Sequence, residues 1–148
     1  MSRLYVTDTD SIISFFHNIF GVPQRLSERA RGMIAQALLT SSSEVKLSIP
    51  SVVFMEIFEK WFITEEFSEK LRYEVFEIVR RSPNIEIKPI EQEVLEKLLK
   101  IGGNLSRHDI NDKIIVASAM MLNCPLITTD GEIIDYIRTT PDIPSVLN

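Results

Sequence analysis

Short apolar runs alternate along this chain with longer stretches whose apolar residues recur at helical spacing. Leu4–Thr7 is apolar and rich in β-formers, which predicts a first strand. Ile12, Phe15, Phe16 and Ile19 then fall on one helical face, predicting a helix over Ser11–Phe20 that Gly21 and Pro23 end. Ser27 caps a second helix reaching about Thr40, with Glu28 in its first turn. Val45–Ile49 reads as the second strand, and Pro50 suits the first turn of a helix running to about Ile63. A further helix covers about Ser68–Arg81, and Ile85–Ile87 is a third strand. Glu91–Ile101 reads as a helix stopped by Gly102-Gly103, and Asp109–Asn123 as another. Leu126–Thr128 is a strand, Glu132–Ile137 a short helix and Ile143–Val146 a last edge strand. Strands and helices in alternation predict a mainly parallel sheet covered on both faces, in an α/β domain spanning residues 1–148.

Composition narrows the class. With 45% apolar and 25% charged residues, the chain reads as an ordinary globule rather than a disordered segment. Cys124 is its one cysteine, which excludes a disulfide within the chain, argues against a cysteine-based zinc site and fits a reducing cytoplasm. The longest apolar stretch, Ile114–Leu122, is far short of the ~20 residues that span a bilayer. The N-terminal residues lack the apolar run of a secretion signal, so the expectation is a cytoplasmic protein without a membrane anchor. The formal charge of −5 argues against a surface coated with positive charge. Setting four carboxylates against cations, however, takes −5 to −1, so an acidic total is compatible with a nearly neutral face and local basic patches.

In a parallel sheet, ligand sites lie beyond the carboxyl ends of the strands. Asp8 follows the first strand and Asp130 follows Leu126–Thr128. Asp112 lies in the first turn of the helix leading to that later strand, and Glu56 lies two turns into the helix after the second. Two unit charges ~4 Å apart repel by about 4 kcal/mol at an effective dielectric of ~20, so converging carboxylates need protons or a cation. An all-oxygen set without cysteine or paired histidine favours Mg²⁺ or Mn²⁺. Each acid also has a plainer role open to it. Asp8 and Asp109 suit helix caps, and Asp130-Gly131 is a common turn pair. Glu56, set among Phe54, Met55, Ile57 and Phe58, is the acid least expected without a partner.

Four segments together resemble a PIN-domain ribonuclease of the VapC-like toxin type. They are Val6-Thr7-Asp8-Thr9-Asp10, Pro50-Ser51-Val52-Val53-Phe54-Met55-Glu56, His108-Asp109-Ile110-Asn111-Asp112-Lys113-Ile114-Ile115-Val116-Ala117 and Leu126-Ile127-Thr128-Thr129-Asp130. The resemblance covers nearly the whole chain and implies a three-layer αβα sandwich. It implies a catalytic, metal-binding quartet of Asp8, Glu56, Asp112 and Asp130, with Asp109 as an additional metal ligand and Thr128 as a supporting residue that orients the site. The position held by Asp10 is often Ser or Asn in that family; Asp10 is either an extra negative ligand or a helix cap. The implied activity is Mg²⁺- or Mn²⁺-dependent hydrolysis of RNA phosphodiester bonds, leaving a 5′-phosphate, by the toxin of a toxin–antitoxin pair. A homodimer and an antitoxin protein are the implied partners. Arg107, His108 and Lys113 flank the third motif and are candidates to meet the RNA backbone, while Arg25, Arg29 and Arg31 read better as a solvated helix face.

Two other functions fit parts of the pattern. Asp8-Thr9-Asp10 also resembles the opening of a haloacid-dehalogenase-like phosphatase, with Asp8 as nucleophile, Asp10 as general acid, and Lys113, Asp130 and Asp135 completing the site. That reading leaves Glu56, Asp109 and Asp112 without a role. A catalytically inactive PIN-like binding module is the other. Phe54, Ile57, Phe58, Trp61 and Phe62 share one helical face, and Leu71, Val75, Ile78 and Val79 follow on the next helix. Most of these suit the core, and the remainder predicts a groove for a second subunit or an antitoxin segment.

Overall fold

Five parallel strands form one sheet in the order β3-β2-β1-β4-β5 in the computed structural model, which describes residues 2–141 and 145–148. The strands are β1 (Arg3–Thr7), β2 (Val45–Pro50), β3 (Ile85–Lys88), β4 (Leu126–Ile127) and β5 (Val146–Leu147). Between β1 and β2 come α1 (Thr9–Phe15), α2 (His17–Phe20) and α3 (Glu28–Leu39). Next are α4 (Ser51–Trp61), α5 (Glu65–Leu71), a π-helical turn (Arg72–Phe76) and α6 (Glu77–Arg81). The helices α7 (Gln92–Ile101) and α8 (Ile110–Leu122) lead from the β3 edge to β4, and α9 (Gly131–Thr139) precedes β5. The expected αβα sandwich with a parallel sheet is therefore present.

Strand alternation divides the core. Tyr5, Leu47 and Ile127 point to one face, where Leu26, Ala30, Ile34 and Ala37 of the α3 region cover them. Val6 and Leu126 point to the other, against Val53 and Ile57 of α4 and Ile115 and Val116 of α8. A side chain every second residue is what sends neighbours such as Tyr5 and Val6 into opposite layers. Cys124 is buried between α8 and β4, and burial pushes its thiol up to about 11.

Several boundaries differ from the sequence expectations. The single helix expected over Ser11–Phe20 is broken at Phe16, whose backbone leaves the helical region at φ −92 and ψ 32. Ser14 ties that last turn down: its hydroxyl accepts from the Arg25 N–H at 2.6 Å and donates to Gln24 Oε1 at 3.3 Å. Gly21 closes α2 at φ 69, a left-handed conformation that glycine adopts without a Cβ penalty. Pro50 ends β2 and precedes α4 instead of sitting in its first turn. The helix expected from Ser68 starts at Glu65, and its later half contains the π turn, closed by the Glu77 N–H on the Arg72 carbonyl. The extra residue widens that turn while Leu71, Val75 and Val79 stay buried. Of the edge strand expected at Ile143–Val146, residues 142–144 lie outside the described residues; β5 spans Val146–Leu147.

Thr64 is the cap that fixes the start of α5, its hydroxyl accepting from the Phe67 N–H at 3.0 Å. Thr64→Ala is expected to cost about 1 kcal/mol. Thermal denaturation should show a midpoint lower by roughly 2–4 °C.

Candidate metal centre

The connection from β3 to β4 passes beyond β1, so the strand order reverses between β1 and β4. At such a switch point the loops leaving adjacent strands diverge and open a crevice at the carboxyl edge. Thr7 of β1 pairs with Ile127 of β4, so the next residues, Asp8 and Thr128, meet at that edge. Thr128 Oγ1 donates to Asp8 Oδ2, and the same oxygen accepts the Asp130 N–H at 3.1 Å. One hydroxyl thus joins the two strand-end acids. Asp8 also accepts the Ser11 N–H at 2.8 Å as the cap of α1, and Asp130 accepts the Ile133 N–H at 3.0 Å as the cap of α9.

Across the crevice, Glu56 of α4 and Asp109 and Asp112 at the start of α8 bring carboxylate oxygens within 4.8 Å of one another. Asp109 combines both roles open to it from sequence. It caps α8 by accepting the Asp112 N–H at 3.0 Å and belongs to this trio. Thr9 holds Glu56 in place, its Oγ1 donating to Oε1 at 2.6 Å. Thr9 was not singled out from sequence as a site residue; a hydroxyl one position after a strand-end acid was the available signal. Asp8 and Asp130 are not members of the trio.

The electrostatics follow from this crowding. Burial, with Asp10 adding repulsion, pushes the Asp8 carboxyl up to about 6 despite its hydrogen bonds from Ser11 and Thr128. Burial, then the charges of Asp109 and Glu56, push Asp112 up to about 7. Glu56 is also raised, by burial first and by Asp109, Asp10 and Asp8 after it, with the Thr9 bond opposing. Asp130 behaves differently. Burial would raise it, but the Ile133 N–H and His108 outweigh that and hold it below the usual carboxylate range.

His108 is the side chain that contributes to that difference, after the Ile133 N–H. It was expected on the RNA-facing surface, but its ring turns inward and its side chain is only 9% exposed. Nε2 lies 2.8 Å from Asp130 Oδ2, and Nδ1 lies 3.6 Å from Glu132 Oε2. Arg107 is exposed and lies 3.8 Å from Glu132, while Lys113 is half-buried in the first turn of α8. Asp10 is exposed on α1 and lines the acid cleft with Glu59, Lys60 and Asn111.

The donor set fits a hard divalent cation. It is all oxygen and convergent, and in the metal-free protein protons partly compensate it. Glu56, Asp109 and Asp112 are the residues that would hold such an ion, with Asp8 and Asp130 behind them on the Thr128 hydroxyl. Thr128→Val keeps the shape but removes both bonds that align Asp8 and Asp130. We expect it to weaken Mn²⁺ binding by about tenfold, read by titration calorimetry.

Comparison with known proteins places the fold. The PIN domain family model matches residues 5–138. VapBC from Salmonella typhimurium bound to DNA is similar in structure, with a TM-score of 0.64 at 17% identity over 99% of this chain and 97% of that one. VapBC2 from Rickettsia felis, bound to a DNA fragment from the promoter, gives 0.62 at 16% identity over 98% and 99%. FitAcB from Neisseria gonorrhoeae gives 0.60 at 17% identity over 97% and 96%. No curated protein sequence matches the chain.

Proposed function

Because this chain belongs to the PIN domain family, we propose that it is a divalent-metal-dependent endoribonuclease, the toxin of a toxin–antitoxin pair. The observation that carries this reading is the trio of Glu56, Asp109 and Asp112 at the sheet's switch point, with Asp112 poised near neutrality. When bound, Mg²⁺ or Mn²⁺ supplies charge stabilisation at a phosphate and activation of water. The chain's own residues do the rest. Thr9 and Thr128 fix the carboxylates of Glu56 and Asp8, so the site is organised before substrate arrives. His108 holds Asp130 against α9. Lys60 lines the acid cleft and offers a cation to the RNA backbone. The phosphatase alternative loses support because Asp8, its nucleophile, is buried and engaged by Ser11 and Thr128.

The partner reading rests on a different surface. The face between α4 and α5–α6 holds an apolar groove of about 470 Å³ along Phe58, Phe62 and Phe76, rimmed by Glu65, Glu69 and Glu77 and by Arg72. Phe58 and Phe62 stack with centroids 4.9 Å apart, leaving Phe62 55% exposed. Two of the similar solved structures are VapBC complexes, and an antitoxin segment with apolar anchors and a basic residue beside Glu65 and Glu69 would suit this groove.

The test is cleavage of a labelled mixed-sequence single-stranded RNA with Mg²⁺, with Mn²⁺ and with EDTA. Cleavage in both metals and none in EDTA is expected. A folded protein that binds Mn²⁺ but leaves every RNA intact, free of any co-purified partner, would overturn the nuclease reading.

A further inference from the structure

We propose that a second cleft beside the acid site is a subsite for the sugar-phosphate backbone of one neighbouring nucleotide of a single-stranded RNA, with Arg25 as its phosphate anchor; this rests on the nuclease reading above. The cleft has a volume of about 240 Å³ and is formed by α1, the α2–α3 loop, the end of α4 and Thr129 after β4. It shares Asp10, Ile13 and Lys60 with the acid cleft, so a strand seated at the trio can run directly into it. Pockets that enclose a whole drug-sized ligand run to roughly 300–1,000 Å³, so this space suits one nucleotide unit and not a duplex.

Its charge is arranged for an anion that arrives from the acid side. Asp10 and Lys60 offset each other on the shared wall. The walls belonging to this cleft alone carry Arg25 and no acid. Among the described residues neither Arg25 nor Lys60 forms an ion pair; Lys60 Nζ lies 5.8 Å from the Trp61 ring centroid on the same wall, and Arg25 is the cation available to a phosphate. An arginine fork matches phosphate geometry.

The backbone carrying Arg25 is held in advance. Ser14 Oγ accepts the Arg25 N–H at 2.6 Å, and Gln24 Nε2 donates to the Leu26 carbonyl at 3.0 Å while its Oε1 accepts from Ser14 and from the Leu26 N–H. Leu26 itself is buried. Within this loop only the Arg25 side chain is left to order on binding, which lowers the protein's share of the cost of association. Arg25 therefore parts company with Arg29 and Arg31, which are exposed on α3 and line none of these clefts. Trp61 supplies the apolar wall. Its ring is braced by Phe20 at 4.9 Å and by Phe67 at 5.9 Å, a firm surface for a ribose or base.

Trp61 is the chain's one tryptophan, so its emission reports from the cleft wall itself. A uridine hexanucleotide titrated in EDTA is expected to change that emission. Arg25→Ala should weaken binding about fivefold and lower the slope of log K against log salt by about 0.7, the contribution of one single-strand phosphate. Arg25→Lys should restore part of the affinity, and all three proteins should melt alike. Binding that leaves Trp61 emission unchanged, or that Arg25→Ala does not weaken, overturns the subsite, as does no binding at all. Repeating the titration with Mn²⁺ separates this proposal from the one beneath it. Arg25-dependent binding with no hydrolysis of the hexanucleotide or of the mixed-sequence RNA leaves the subsite standing and removes the nuclease. Hydrolysis whose KM and kcat are both indifferent to Arg25→Ala does the reverse. The subsite predicts a raised KM with kcat little changed.

Discussion

Replacing Asp112 by Asn is expected to lower metal-dependent RNA cleavage by about a thousandfold, which is about 4 kcal/mol of transition-state stabilisation. The same change is expected to raise the melting temperature of the metal-free protein. Both effects have one cause. Asp112 is half-buried and faces Asp109 and Glu56, and in the absence of a cation burial first, and then those two charges, push its carboxyl up to about 7. An amide of the same shape removes the repulsion and, with it, the charge a cation needs. The cap of α8 survives because it uses the Asp112 backbone N–H, not the side chain. Cleavage assays and thermal melts on one preparation test the pair of effects. A folded Asp112→Asn protein with more than a tenth of the activity would remove Asp112 from the ligand set.

The second large effect concerns pH and metal together. Asp8 and Asp112 hold their protons more tightly in the folded chain than at the ordinary aspartate value of 3.8. Between about pH 4 and pH 7 the folded state therefore binds more protons than the unfolded state. Stability of the metal-free protein falls as pH rises through that window. His108 acts in the same direction: its pairing with Asp130, which overcomes the cost of burial, raises its pKa, and that contribution is lost as pH rises past it. Asp130 opposes only at low pH, because its lowered pKa confines its loss to acid conditions. Asp8 still holds about nine-tenths of its proton in the folded chain at pH 5 and almost none at pH 8, which for this group alone is a loss of roughly 1.4 kcal/mol, so in EDTA the melting temperature should be roughly 3–6 °C higher at pH 5 than at pH 8. Saturating Mn²⁺ should stabilise more at pH 8 than at pH 5, since protons compete for the same oxygens. A flat profile in EDTA would mean that these carboxylates are not crowded in solution.

How far the sequence led depended on the kind of contact involved. Asp8 and Asp130 were legible because a strand's end is visible as a change of pattern, and a parallel sheet puts such ends on one edge. Glu56 stood out as an acid in an apolar run. What escaped was geometry set by side chains distant in sequence. Thr9 and Glu56 are 47 residues apart, and Asp8 and Thr128 are 120 apart. His108 looked solvated because its neighbours are polar, but the loop before α8 turns its ring onto Asp130. The break at Phe16 goes with the bond between Ser14 and Arg25, which no helical periodicity encodes. That same bond removes Arg25 from the basic cluster in which its spacing had placed it. The π turn after α5 leaves no mark in the pattern, because the buried residues on either side keep an ordinary spacing.

Cys124 gives the molecule a clock of its own. The thiol is the chain's only one, it is 5% exposed, and burial holds its pKa near 11. At neutral pH an alkylating reagent finds almost no thiolate and no path to it while β4 stays docked against α8. Labelling then proceeds only through openings that part that layer, and its rate reads their frequency. Because Cys124 lies two residues before β4, whose exit carries Thr128 and Asp130, the openings it records are those that dismantle the acid edge. Slower labelling on addition of Mn²⁺ would register the cation as a fastener between the two halves of the sheet, with no substrate or cleavage involved.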